Sequence, residues 1–246
     1  MRRDIFIIQD HKVGQLISDD VVTIAQQAIG EKDEEMIELD SKLYFVSQLM
    51  YPCFEIQNKF DDFRHAYLLL SKYPIGKIYR EKFTREDYII YNLEFYMISQ
   101  VALLDRLLHL VNFVYEIGLD DPNVKHSLIV RNNRVPASVK RVLRRFDNFL
   151  NLNQKRKLQN RIKHKERLKD KMLYKPSLLE WSSKTEIDAL SARERHEMKK
   201  AALGLYKVYI SIRRSLIKEE IKKMKKMTEN LLDLMYPTIL KKYNSY

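Results

Sequence analysis

The chain has 246 residues, with 45 lysines and arginines, 33 aspartates and glutamates, five glycines, six prolines and one cysteine. At about 150 residues per domain this length allows one large domain or two small ones, and the scarcity of glycine and proline excludes turn-rich β-folds and glycine-rich phosphate loops. The lone Cys53 excludes a disulfide scaffold, a thiolate zinc site and a CxxC redox site.

Positive charge is concentrated in the second half of the chain, which outweighs an acidic first half and gives the net charge of +12. Residues 1–130 carry 14 basic and 21 acidic side chains, residues 131–180 carry 16 and 4, and residues 181–246 carry 15 and 8. A focused basic patch attracts polyanions and makes their binding depend on salt. The pattern indicates either a nucleic-acid surface or a solvated, lysine-rich helix surface.

The predicted elements begin with an N-terminal arm and a short helix within residues 1–30, closed by Gly30. The acidic run at 31–35 suits the N-terminus of a second helix, because negative charge there meets the positive end of the helix dipole. Pro52 is expected to kink or divide this helix. A turn at 73–76 follows.

A central helix of about thirty residues is the clearest prediction. Thr84 and Asp87 have the spacing of a capping box, and the chain then runs to Gly118 without a helix breaker. This segment is apolar on most sides, as a helix in the centre of a bundle would be.

The basic second half predicts further helices. Ser138 is expected to cap one of them, and a very basic helical stretch follows it. Residues 174–188 contain proline and paired serines and are predicted to form a loop. Ser191 is expected to begin a final helix that ends at Pro237. The fold class is therefore all-α, an antiparallel bundle of long helices.

The predicted domain organisation has three parts. Residues 1–30 form the arm and short helix, and residues 31–246 form a single bundle. Within that bundle, residues 155–190 make a basic helix and loop inserted before the last long helix. The basic start of the chain lacks a long apolar segment, and no uncharged run reaches the ~18 residues of a membrane span. We therefore expect a cytoplasmic protein without a membrane partner.

One short segment carries a chemical motif. Gln159, Asn160 and His164 have the spacing of R-N-x-x-x-H, with glutamine at the arginine position. The segment resembles the signature of the HEPN superfamily, helical-bundle proteins of prokaryotic toxin–antitoxin, phage-defence and RNA-processing systems. The resemblance covers most of residues 35–235 at the level of architecture.

The resemblance implies an RNA-targeting protein and, in active members, a metal-independent endoribonuclease without a small-molecule cofactor. His164 would help to deprotonate the ribose 2′-hydroxyl, Asn160 would position it, and Arg161 would supply the positive charge that Gln159 lacks. The resemblance also implies a homodimer and a cognate antitoxin protein. The cations expected to bind RNA are Arg156, Lys157, Lys163, Arg167, Arg144 and Arg145.

Two other interpretations remain open. In the first, the chain binds RNA without cleaving it. In the second, it is a non-catalytic helical interaction protein, antitoxin-like or an adaptor, and its basic face binds an acidic partner. Tyr174 and Trp181, near the basic segment, would either stack on unpaired bases or hold a loop against the bundle. No third ligand completes a metal site beside Glu194 and His196.

Overall fold

The predicted all-α class is confirmed by a computed structural model of the chain, in which all described regular structure is helical. The structure describes residues 8–30, 40–72, 84–152, 155–163, 167–185 and 190–246. Its α-helices are α1 Lys12–Gly30, α2 Ser41–Leu69, α3 Arg85–Val114, α4 His126–Arg131, α5 Ala137–Leu152, α6 Lys155–Lys163, α7 Lys171–Lys184 and α8 Ala192–Tyr243. Two single turns of 3₁₀-helix lie at Ile8–Asp10 and Asp121–Asn123.

The chain divides into two compact units. The first contains Met1–Asp62, Ser99–Arg156 and Lys223–Tyr246, and the second contains Phe63–Ile98 and Lys157–Lys222. Each unit has its own set of buried apolar side chains.

The core of the first unit is formed by α2, α3, α5 and α8. Their apolar residues recur at the three- and four-residue spacing of an amphipathic helix. Cys53 is buried among them, and burial raises the pKa of its thiol to about 12, so it stays protonated and unreactive. Core residues with 0% exposure include Val46, Leu49, Ile56, Phe60, Leu103, Leu104, Leu107, Val139, Leu143, Leu150, Met224, Leu232, Met235 and Ile239.

The core of the second unit combines aromatic and aliphatic side chains. The rings of Phe63 and Tyr96 meet edge to face, with centroids 5.5 Å apart. Leu173 of α7 is fully buried, which holds that helix on the unit. Other members of this core are Ala66, Leu70, Ile89, Leu93, Ala202, Tyr206 and Tyr209.

The start of α3 confirms the predicted capping box. The Thr84 amide donates to Asp87 Oδ2 at 2.8 Å, and the Asp87 amide donates to Thr84 Oγ1 at 3.0 Å. The helix ends at Val114, before the predicted end, and Gly118 has a φ of 76°. By length and composition α3 could cross a membrane, but 56% of its most apolar window is buried inside the protein, as in a core helix.

Prolines interrupt the helices less than the sequence predicts. α2 continues through Pro52, and α8 continues past Pro237 to Tyr243. An interior proline costs about 3 kcal/mol, but the fully buried side chains of Met235 and Ile239 hold this turn of α8 against the first unit. The predicted start of the last helix is confirmed, since the Glu194 amide donates to Ser191 Oγ at 3.2 Å.

The prediction of a loop at 174–188 is wrong for most of the residues that the structure describes there. Residues 174–184 belong to α7, which includes Pro176. Asp170 caps this helix by accepting from the Met172 amide at 3.0 Å, and burial of Leu173 and Pro176 fixes it. Ser138 likewise lies inside α5, which begins one residue earlier.

Candidate nucleic-acid interface

The residues of the R-N-x-x-x-H motif are only partly described. His164 lies outside the described residues, as does the side chain of Lys163. Gln159 is 7% exposed, whereas Asn160 and Arg161 are exposed on α6. Gln159, at the arginine position of the motif, is therefore buried in the second unit, whereas Asn160 and Arg161 face solvent.

Arg156 belongs to an ionic cluster of the first unit. Its Nη2 atom lies 2.7 Å from Asp147 Oδ1. Asp147 Oδ2 accepts from the Asn151 amide group at 3.1 Å and lies 3.8 Å from His126 Nδ1. The charge of this arginine, expected to bind RNA, is thus balanced by an aspartate one helix away.

His126 is half-buried between α4 and α5, and its ring favours the neutral form. Burial lowers the pKa of His126, and the charges of Arg156 and Arg144 lower it further, although Asp147 acts in the opposite direction. Its Nε2 atom is buried without a hydrogen-bond partner among the described residues. The half-buried imidazole therefore favours its neutral form more than a free histidine does.

Arg167 and Leu168, shortly before α7, contact the first half of α3. Arg167 forms an ion pair with Asp87, and the Leu168 amide donates to Glu94 Oε1 at 2.6 Å. Burial raises the pKa of Asp87, but hydrogen bonds from Thr84 and the ion pair with Arg167 outweigh it and lower the pKa below its ordinary value. Arg167 therefore acts here as a structural cation.

The α5 basic face is a group of exposed cations in the first unit, formed by Arg141, Arg144 and Arg145 of α5 with Lys223 and Lys226 of α8. None of the five forms an ion pair with an acidic residue that the structure describes. Two of the predicted RNA-binding residues, Arg144 and Arg145, belong to it.

The pattern of α5 explains why these arginines face solvent. One side of the helix packs Val139, Val142, Leu143, Phe146 and Leu150 into the core. Two open grooves adjoin the other side. One, of about 630 Å³, is lined by the three arginines with Asn148 and Leu152, and the other, of about 360 Å³, lies between Arg145 and the two lysines of α8.

A second surface, here called the aromatic groove, lies in the second unit and has a volume of about 830 Å³. Tyr174 and Trp181 line it from α7, and they are 70% and 60% exposed. Trp181 therefore does not hold a loop against the bundle. The sequence analysis predicted a loop here and so did not place the two aromatic residues on one helical face, although their seven-residue spacing would have done so within a helix.

Beneath the aromatic groove, Asp170 joins α7 to α8. It accepts a hydrogen bond of 2.6 Å from the Tyr209 hydroxyl and forms an ion pair with Arg213. Burial raises the pKa of Asp170, but these partners and the Met172 amide outweigh it and lower the pKa below its ordinary value. The network fixes the first turn of α7 and so the floor of the groove.

The described residues contain no group of three or more histidine, cysteine, aspartate or glutamate side chains that could hold a metal ion. No model of a known protein family, no curated protein and no solved structure matches this chain.

Proposed function

We propose that this protein binds RNA through the α5 basic face. The observation that carries the proposal is the alignment of Arg141, Arg144 and Arg145 on one exposed side of α5, without described acidic partners. A guanidinium stays charged and can bind two phosphate oxygens at once, and grooves beside it give a phosphate backbone a path. The net charge of +12 also favours binding of a polyanion such as RNA.

The experiment compares RNA binding by two variants of equal charge. Arg144→Glu combined with Arg145→Glu changes the α5 basic face, and Lys199→Glu combined with Lys200→Glu changes two exposed lysines near the start of α8. Fluorescence anisotropy with labelled single-stranded RNA measures the dissociation constant at fixed salt. We expect the arginine variant to bind about tenfold more weakly or worse, and the lysine variant to bind nearly as wild type does.

Equal losses in the two variants would show that net charge alone attracts RNA and would refute the α5 basic face. Absence of RNA binding by folded wild type, together with capture of an acidic protein partner, would support the other function, a helical interaction protein. In that case the chain itself would be antitoxin-like or an adaptor, whereas a cognate antitoxin would be a partner of the HEPN-like RNA-targeting protein.

Within this function, the protein is a cytoplasmic, HEPN-like RNA-targeting protein, and His164 is its candidate general base. The motif supports this assignment through Asn160, His164 and their spacing, and Arg161 supplies an exposed cation next to Asn160. Cleavage of labelled RNA in EDTA, wild type against His164→Ala, tests it. Products ending in 2′,3′-cyclic phosphate that are lost in the variant would establish catalysis, and intact RNA would leave binding alone.

Our proposal also includes that the protein is a homodimer, and an exposed apolar stripe on α8 supports it. Val208, Ile212 and Leu216 are four residues apart, lie on one face and are between 42% and 58% exposed. A two-fold axis at Ile212 would place Val208 of one copy against Leu216 of the other. We expect Ile212→Lys to be monomeric in sedimentation equilibrium, and the matched exposed substitution Val22→Lys on α1 to remain dimeric.

A further inference from the structure

We infer that the aromatic groove binds unpaired nucleobases, which stack on Tyr174 and Trp181 while lysines beside them contact the phosphates. This inference rests on the proposed RNA binding and adds the form of RNA that the protein selects, a single strand. It concerns the second unit only and uses none of the residues of the α5 basic face.

The two rings are placed for two bases of one strand. A separation of seven residues is almost two helical turns, so both rings lie on the same side of α7, about 10 Å apart along its axis. Leu178 lies between them and is also exposed. Tyr174, Leu178 and Trp181 thus form a continuous exposed apolar strip on one side of α7, and a continuous strip marks a binding site more often than single exposed apolar residues do.

The charge of the groove favours an anionic ligand. Lys169 and Lys171 line it, are exposed and form no ion pair with a described acidic residue. Two of its three acidic residues are already balanced, Asp170 by Arg213 and Glu180 by Lys184 at 2.8 Å. A phosphate backbone would therefore meet two available cations at the edge of the rings.

The walls of the groove are fixed in the absence of ligand. Tyr206 is buried behind α7, where its hydroxyl lies 3.1 Å from Ser177 Oγ, and the Asp170 network holds the first turn of the helix. Rings on a rigid helix lose little conformational entropy when a base stacks on them. An acidic protein helix would also cover the rings and pair with the two lysines, but two open ring faces spaced along one helix are the arrangement on which the bases of a single strand stack, so we argue for the nucleic acid.

Trp181 is the only tryptophan of the chain, so its fluorescence reports directly on the groove. The probe is a short oligouridylate, titrated into the full chain and compared with the same strand in a duplex. We expect the single strand to quench Trp181 emission and the duplex to leave it unchanged. In anisotropy with the labelled single strand, Tyr174→Ala should weaken binding at least about fivefold, whereas Tyr91→Ala, an equally exposed tyrosine of α3, should not.

The outcomes separate this inference from the proposed function. Two outcomes would overturn base stacking in the aromatic groove. In one, RNA binds in anisotropy without quenching Trp181; in the other, single strand and duplex quench it equally. Both leave the proposed role of the α5 basic face intact. Quenching that occurs with the wild-type dissociation constant in the Arg144→Glu and Arg145→Glu variant supports the groove and refutes the basic face as the main site. No binding by folded wild type in either measurement overturns both.

Discussion

Asp147 and Arg156 form an ion pair of 2.7 Å between α5 and α6. The first unit therefore contains two kinds of basic residue, those paired with an acidic residue and those left exposed. Arg156 stabilises the packing of two helices, whereas Arg144, three residues before Asp147 on α5, remains exposed and has no described acidic partner. Charge density in the sequence is similar around both arginines, but only one of them is available to a phosphate group.

Asp147→Asn should lower the free energy of unfolding by about 1 kcal/mol, because Arg156 loses its counter-charge at a partly exposed site. Urea denaturation measures the change. Asp120→Asn, at an exposed aspartate of the turn after α3, serves as the control and should change the value by less than about 0.5 kcal/mol. Equal effects of the two substitutions would show that the pair contributes nothing.

Arg144→Ala combined with Arg145→Ala should make RNA binding less sensitive to salt. Each phosphate contact with a single strand contributes about 0.7 to the slope of log K against log salt concentration, so the loss of two contacts should reduce the slope by about 1.4. Anisotropy titrations at several salt concentrations give this slope. A slope unchanged from wild type would mean that neither arginine contacts a phosphate.

Stability should decrease as the pH falls below the ordinary histidine pKa of 6.5, because the folded state lowers the pKa of His126. Between the two pKa values the unfolded chain binds the proton and the folded chain does not, so acid favours unfolding and stability rises with pH across this window. His126→Gln should flatten the curve of unfolding free energy against pH between about 5 and 7. His11, whose pKa burial also lowers, keeps some dependence in the variant. Parallel curves for wild type and variant would rule out a neutral, buried His126.

Asp170→Ala should be the most destabilising of these substitutions, by about 2–3 kcal/mol. It removes the cap of α7 and leaves the half-buried Arg213 and the Tyr209 hydroxyl without their shared acceptor. Tyr209→Phe removes the hydroxyl that donates to Asp170 and accepts from Arg213 Nε at 3.0 Å, but it leaves the cap and the ion pair of Asp170, and should cost about 1–2 kcal/mol. Trp181 emission follows α7 during urea unfolding, so an early loss of this signal in the Asp170 variant would show that the helix loosens first. Equal stability of the two variants would contradict the central role of the carboxylate.

Local sequence signals were sufficient for several elements. The capping pair at Thr84 predicted the start of α3, and Ser191 was expected to begin α8; both predictions depend on residues within three positions of each other. Arg144 and Arg145 were predicted to bind RNA, and the structure places them on the exposed side of α5. The α7 helix was missed because Pro176 and the paired serines are typical of loops, and the burial of Leu173 that stabilises it depends on distant residues.

The sequence by itself determined that the protein is helical and that its positive charge lies in the second half, since both follow from composition and from periodicities within one turn of helix. Only the tertiary structure decided that Gln159 is buried, that Arg156 and Arg167 are paired with aspartates, and that Trp181 is exposed. Ion pairs and burial depend on which residues of other helices come within a few ångströms, and packing sets those neighbours after each helix has formed.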